Sequence, residues 1–158
     1  MKICQLLAFL LFALTVNAQY PDLPIKIKSP FYKKFPTAID LNWAENKGKY
    51  EIEFYMGPDL YTAVYDESGN WLETAVILSD DQIPENLLAE IAKKHPDAGL
   101  AYAEKVWTSN SEEFIRVVTE SENMVYTVNA RSDGTIIKID IQNYNSSSED
   151  FDDNEGVE

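Results

Sequence analysis

The chain is poor in cysteine, histidine and basic residues, and each shortage excludes some chemistry. Cys4 is the only cysteine and His95 the only histidine in 158 residues. One thiol cannot form an internal disulfide, and one imidazole cannot supply a two-histidine metal set. Cys4 also leaves with an expected leader, which removes any cysteine nucleophile, and the one histidine reads as structural at a helix end, so no triad of the usual kind is expected. No recognisable serine-lysine pairing replaces it. Lys and Arg together number 13 against 27 Asp and Glu, a net charge of -14. A surface that negative repels phosphate backbones and anionic lipid, which argues against nucleic acid and membrane surfaces and favours cationic partners. A membrane-spanning run is missing too. The longest apolar stretch, Ile3 to Val16, falls short of the roughly 20 residues a bilayer requires and is followed by Asn17, Gln19 and Asp22.

That stretch has another reading. Lys2, the apolar run and Val16-Asn17-Ala18 have the order of a secretory signal peptide, residues 1-18, cut after Ala18. The expected location is periplasmic or secreted. Gln19, not cysteine, follows the cut, so no lipid anchor is expected. Cys4 is lost with the leader, which leaves stability to the core alone. The remaining 140 residues suit one domain. With Lys2 gone, 12 basic residues face 27 acidic ones, a net charge of -15. Part of this charge lies in residues 145-158, where Glu149, Asp150, Asp152, Asp153, Glu155 and Glu158 follow a serine run. A segment so polar is expected to be a disordered acidic tail.

Between leader and tail, Pro21 and Pro24 make 19-28 read as an extended lead-in, and 29-144 read as one domain. Its pattern runs twice. The first pass, 29-79, has the amphipathic segment Pro30 to Pro36 and then alternating stretches around Ile39 to Trp43, Tyr50 to Phe54, Leu60 to Asp66 and Trp71 to Leu78. Glu67-Ser68-Gly69-Asn70 suits a tight hairpin between the last two. The second pass, 80-144, opens with a helix from Ile83-Pro84, with Leu87, Leu88, Ile91 and Ala92 on one face and Pro96 as its stop. Strands are expected over Leu100 to Trp107, Glu113 to Thr119, Met124 to Ala130 and Thr135 to Ile141, the last two joined across Asp133-Gly134. Phe35-Pro36-Thr37-Ala38 matches His95-Pro96-Asp97-Ala98 at an offset of 60, and Gly69 matches Gly134 at 65. The expected fold class is α+β: a tandem repeat of one helix plus four antiparallel strands, helices on one face of a curved sheet.

These residues resemble a family. A helix ending in Phe35-Pro36-Thr37-Ala38, a strand with Trp43, and Tyr61-Thr62-Ala63-Val64-Tyr65-Asp66-Glu67-Ser68-Gly69-Asn70-Trp71 are similar to the secreted bacterial PepSY-like proteins, whose fold is like the beta-lactamase inhibitor protein. His95-Pro96-Asp97-Ala98, Val125 to Asn129 and Asp133-Gly134 carry the second copy. The resemblance spans about Ser29 to Ile141. It implies helices on one face of a curved antiparallel sheet and action outside the cytoplasm.

Few groups invite chemistry. His95, before Pro96 at a helix end, suits the helix dipole. Asp66, Ser68 and Asn70 sit at calcium-loop spacing, but Trp71 stands where the loop wants glycine and Ile77 where it wants a carboxylate, so turn chemistry is the reading. Catalytic residues, metal ligands and cofactors are therefore expected to be none. If Val64 points to the helices, Tyr61, Tyr65 and Trp71 face away from them, joined by Tyr55, Glu51 and Glu53. Aromatics dominate binding hot spots, so these six are the candidate partner-binding residues. Tyr102 and Trp107 fall on opposite faces, so only one of them belongs with that surface. The expected function is a non-enzymatic module recognising a protein or peptide through the open sheet face. The alternatives are an inhibitor or regulator of a secreted hydrolase, inserting a hairpin such as Glu67 to Asn70, and a calcium-responsive envelope protein.

Overall fold

The computed structural model describes residues 22-143. Helix α1 (Ile25–Lys34) precedes strands β1 (Ile39–Asn46), β2 (Lys49–Met56), β3 (Asp59–Asp66) and β4 (Trp71–Ile77). A short 3-10 turn, Asp80–Gln82, leads to α2 (Glu85–Lys94) and to β5 (Gly99–Thr108), β6 (Glu113–Glu120), β7 (Met124–Ala130) and β8 (Ile136–Asn143). The strands form one antiparallel sheet in chain order from β1 to β8. The architecture is α+β, as expected. The leader and the acidic tail lie outside the described residues.

The extended lead-in is corrected. Helix α1 begins at Ile25, and Leu23, Ile27, Phe31 and Phe35 are buried at a four-residue spacing that makes one helix face. Pro24 serves as the N-cap, its carbonyl accepting from the Ile27 and Lys28 amides. Pro30 sits inside the helix, where it lacks the N–H that would bond the Lys26 carbonyl four residues back. That carbonyl instead abuts Gly69 of the β3–β4 hairpin. A Cβ at Gly69 would collide with Lys26 O, and its φ of +85° is itself a glycine conformation. Lys33 and Lys34 in the last turn complement the helix dipole.

Strand register decides the faces. Tyr50, Ile52 and Phe54 of β2 pair with Tyr65, Ala63 and Tyr61 of β3, and together they meet α1. Phe31 lies edge-on to Phe54 at 5.0 Å and contacts Phe35 and Tyr65. A second core joins Leu87 and Ile91 of α2 to Ala103, Ile115, Val117, Val128 and Ala130. Following the pairing from Tyr61 to Val76, Lys105, Ile115 and Ala130 keeps to one side of the sheet, so both helices cover the same face. The other face carries no helix. The β1 alternation also fails at one end: the register slips between Ile39 and Asn42, Asp40 has φ +54°, and Ile39 is left exposed.

Candidate functional site: the open sheet face

Side chains on the uncovered face come from the alternate residues of each strand. Glu51, Glu53 and Tyr55 of β2 are there, exposed, as the alternation predicts. They neighbour Leu60, Thr62 and Val64 of β3, then Glu73, Ala75 and Ile77 of β4. Tyr102, Glu104 and Val106 of β5 and Phe114, Arg116 and Val118 of β6 continue it, and the pairing carries the same face on through Asn129 and Thr127 of β7 to Lys138 and Asp140 of β8. The face is hollowed. A cavity of about 470 Å³ runs from Glu51 on β2 to Arg116 on β6. Ala75, Val106 and Val118 on this face are buried even though no helix lies over it.

Three of the six expected residues lie on the other side. Tyr65 is fully buried, and Tyr61 and Trp71 pack against the α1 core. Val64, expected under the helices, lies on the open face instead. The cause is register: Tyr50 and Phe54 are core residues of β2, and β3 places Tyr65 and Tyr61 directly opposite them. A slip between Val64 and Tyr65 brings Trp71 opposite Tyr65, with the Lys34 ammonium 3.5 Å from its ring centroid. Its indole N–H donates to Thr74 Oγ1 at 2.8 Å. Burial pushes the Tyr65 hydroxyl up to about 12. Of Tyr102 and Trp107, Tyr102 is the open-face member, 44 % exposed.

The electrostatic centre of the face is Arg116, which sequence reading did not single out. Its guanidinium donates to both carboxylate oxygens of Glu73, at 3.0 and 3.2 Å, and to Glu104 Oε1 at 2.7 Å. Such fork-to-carboxylate geometry is the strong form of the ion pair. Burial pushes the Glu104 carboxyl above its ordinary value, and Arg116 pulls it back only in part. Burial likewise works against the Arg116 charge, but the hydrogen bonds and charge of Glu73, then those of Glu104, leave its pKa raised. Tyr102 is raised by burial first and by Glu104 next. Glu51 and Glu53 line the same cavity and add negative charge that Arg116 does not meet. Glu53 accepts a 3.4 Å hydrogen bond from the Asn42 amide. One guanidinium among four carboxylates leaves the hollow negative. A signal for Arg116 did exist: it is the only arginine in any expected strand.

The remaining candidates are structural. His95 caps the end of α2 and lies against Tyr126, ring centroids 3.9 Å apart. Asp66 Oδ1 accepts from the Ser68 and Asn70 amides, and Oδ2 from the Asn70 side chain, contacts that lower its pKa, that of Asn70 foremost. Its oxygens thus serve the turn. Among the described residues no three acidic or histidine side chains cluster in a way that could hold a metal ion. The Glu67 to Asn70 hairpin, expected as an inserting loop, is seated on α1 through Gly69. No described helix is long and apolar enough to cross a membrane.

No protein-family model matches the sequence, and no curated protein does. Solved structures do match in fold. A DUF2874 family protein from Bacteroides uniformis superposes with a TM-score of 0.63 at 16% identity, covering 79% of this chain and 92% of that one. A DUF2874 family protein from Bacteroides ovatus gives 0.63 at 18%, covering 82% and 93%. A BLIP-like protein from Bacteroides fragilis gives 0.61 at 15%, covering 79% and 90%. The chain therefore has the fold of these proteins, the BLIP-like arrangement of helices on one face of an antiparallel sheet.

Proposed function

We propose that this is an exported, non-enzymatic binding module that holds a protein or peptide partner against its open sheet face. The observation that carries the reading is the hollow of about 470 Å³ on a face that no helix covers, floored by apolar side chains and ringed by unequal charge. Glu51, Glu53 and Tyr55 from the original set are retained as partner-binding residues, joined by Tyr102. Because four carboxylates there face one guanidinium, the fitting partner presents lysine or arginine beside an apolar side chain. The leader read at residues 1-18 supports a periplasmic or secreted setting for it.

We also infer that residues 22-143 are two copies of one helix-plus-four-strand unit of the PepSY-like kind. Helices α1 and α2 begin and end 60 residues apart, and Pro24 and Pro84 are their N-caps. Gly69 rests on Lys26, and Gly134 rests on Asn86, again 60 residues on. A second functional reading, inhibition of a secreted hydrolase, draws on the description of one fold neighbour as BLIP-like. In that case the target also docks on the open face.

Reversing the charge of Glu51 and Glu53 together, E51K/E53K, is expected to weaken the partner complex at least tenfold in titration calorimetry. The melting temperature should move by less than about 3 °C, since both side chains are exposed. Unchanged affinity in the double variant rules out this face.

A further inference from the structure

The sheet has two end strands among the described residues, and they differ. Strand β4, fourth after α1, is paired with β5, whereas β8, fourth after α2, ends the sheet. The β1 edge is ill-suited to pairing: Asp40 sits at φ +54°, the register slips between Ile39 and Asn42, and its charges, Asp40 and Glu45, are both negative. Breaks of this kind protect an edge. The β8 edge carries no such break along most of its length. Its sequence, Ile136-Ile137-Lys138-Ile139-Asp140-Ile141-Gln142-Asn143, has no glycine or proline, and its one irregularity is at the start, opposite Asn129 and Ala130. Ile137 and Ile141 are each 54% exposed.

The order of these side chains is self-complementary. An antiparallel strand of the same sequence, centred on Ile139, places Lys138 opposite Asp140 of the copy, twice by symmetry, and brings Ile141 beside Ile137, the extra residue of the irregularity that ends the regular ladder at Lys138. Lys138 Nζ now lies 2.7 Å from Asp140 of its own strand, with 62% and 46% of the two side chains exposed, so both can meet a neighbour. The chain beyond Asn143 is acidic, but antiparallel pairing sends the two continuations to opposite ends of an eight-residue strand, roughly 25 Å apart. That exceeds the screening length of about 8 Å at physiological salt. Pairing of β8 with β1 of another copy would instead set Asp140 near an acidic edge and leave the chain of contacts open-ended.

We propose that two copies of this protein associate through antiparallel pairing of their β8 edges about Ile139, joining two eight-stranded sheets into one. The interface is a single strand pair, so the dissociation constant is expected on the order of 10-100 μM. The inference stands apart from the open-face reading, because it uses the sheet end and not the hollow.

Sedimentation equilibrium of the protein recovered after export tests it. The expected result is a monomer-dimer equilibrium that saturates at twice the monomer mass. Lys138→Asp and Asp140→Lys alone each place like charges opposite one another and should weaken association on the order of tenfold. Mixed in equal amounts they place Asp opposite Lys again, and the mixed dimer should recover parental affinity. Recovery cannot come from repaired folding, since each chain keeps its own substitution. A monomer up to about 1 mM, a dimer indifferent to both substitutions, a mass that grows beyond two copies, or no recovery in the mixture overturns the proposal.

Discussion

Replacing Phe31 by alanine is expected to destabilise the domain by about 4 kcal/mol and to lower its melting temperature by on the order of 10 °C. Phe31 has no exposed surface and touches Phe35, Phe54, Tyr65 and Tyr32. Truncation removes its transfer energy and leaves a void that rigid aromatic neighbours cannot fill. The aliphatic counterpart, Ile91→Ala, should cost about 3 kcal/mol, since a smaller side chain is lost from a wholly aliphatic core. Urea unfolding followed by tryptophan fluorescence checks both. A cost for Phe31→Ala below about 1 kcal/mol would mean that α1 is not docked as described.

Arg116→Met is expected to cost about 3 kcal/mol at pH 7, because it strands two carboxylates that one guanidinium now holds. The cost should depend on pH. Glu104 already has its carboxyl held above the ordinary 4.5, chiefly by burial, and loss of Arg116 raises it further. An acid whose folded pKa exceeds its unfolded one costs stability as pH climbs through that interval, and the cost disappears below the unfolded value. The gap between variant and parent should therefore narrow to about 1 kcal/mol at pH 4. Glu104→Gln keeps the Arg116–Glu73 pair and should stay within about 1 kcal/mol of the parent at pH 7. A pH-independent gap for Arg116→Met would show that packing, not charge, is what Arg116 contributes.

Much of this fold is legible in the sequence because its strands alternate and its turns use glycine. Tyr50-Glu51-Ile52-Glu53-Phe54 announces which side is buried, since the odd members are glutamates. Tyr61-Thr62-Ala63-Val64-Tyr65 does not. Its two stripes are Tyr-Ala-Tyr and Thr-Val, either of which can be buried, and only the register against β2 decides. The same ambiguity misplaced Trp71, where a one-residue slip restores the tyrosine side. Helix α1 was obscured by Pro24 and Pro30, although Leu23, Ile27 and Phe31 keep strict four-residue spacing. Pro30 is tolerated because Gly69 leaves room beside the Lys26 carbonyl, a contact between residues 43 apart in sequence. Arg116 was missed for a related reason. Its partners Glu73 and Glu104 come from β4 and β5, and no local pattern unites three strands.

The central claim is that the open face, and not the helix-bearing one, meets the partner. The most direct measurement places a photo-crosslinking amino acid at Tyr55 or Tyr102 on the open face, or at Tyr32 on α1, in the exporting host. These tyrosines have closely similar exposure, 40%, 44% and 40%, so reach alone does not favour any of them. One and the same adduct from positions 55 and 102, weakened by E51K/E53K and lacking at position 32, is the predicted result. An adduct from position 32 with none from 55 and 102 would contradict the account.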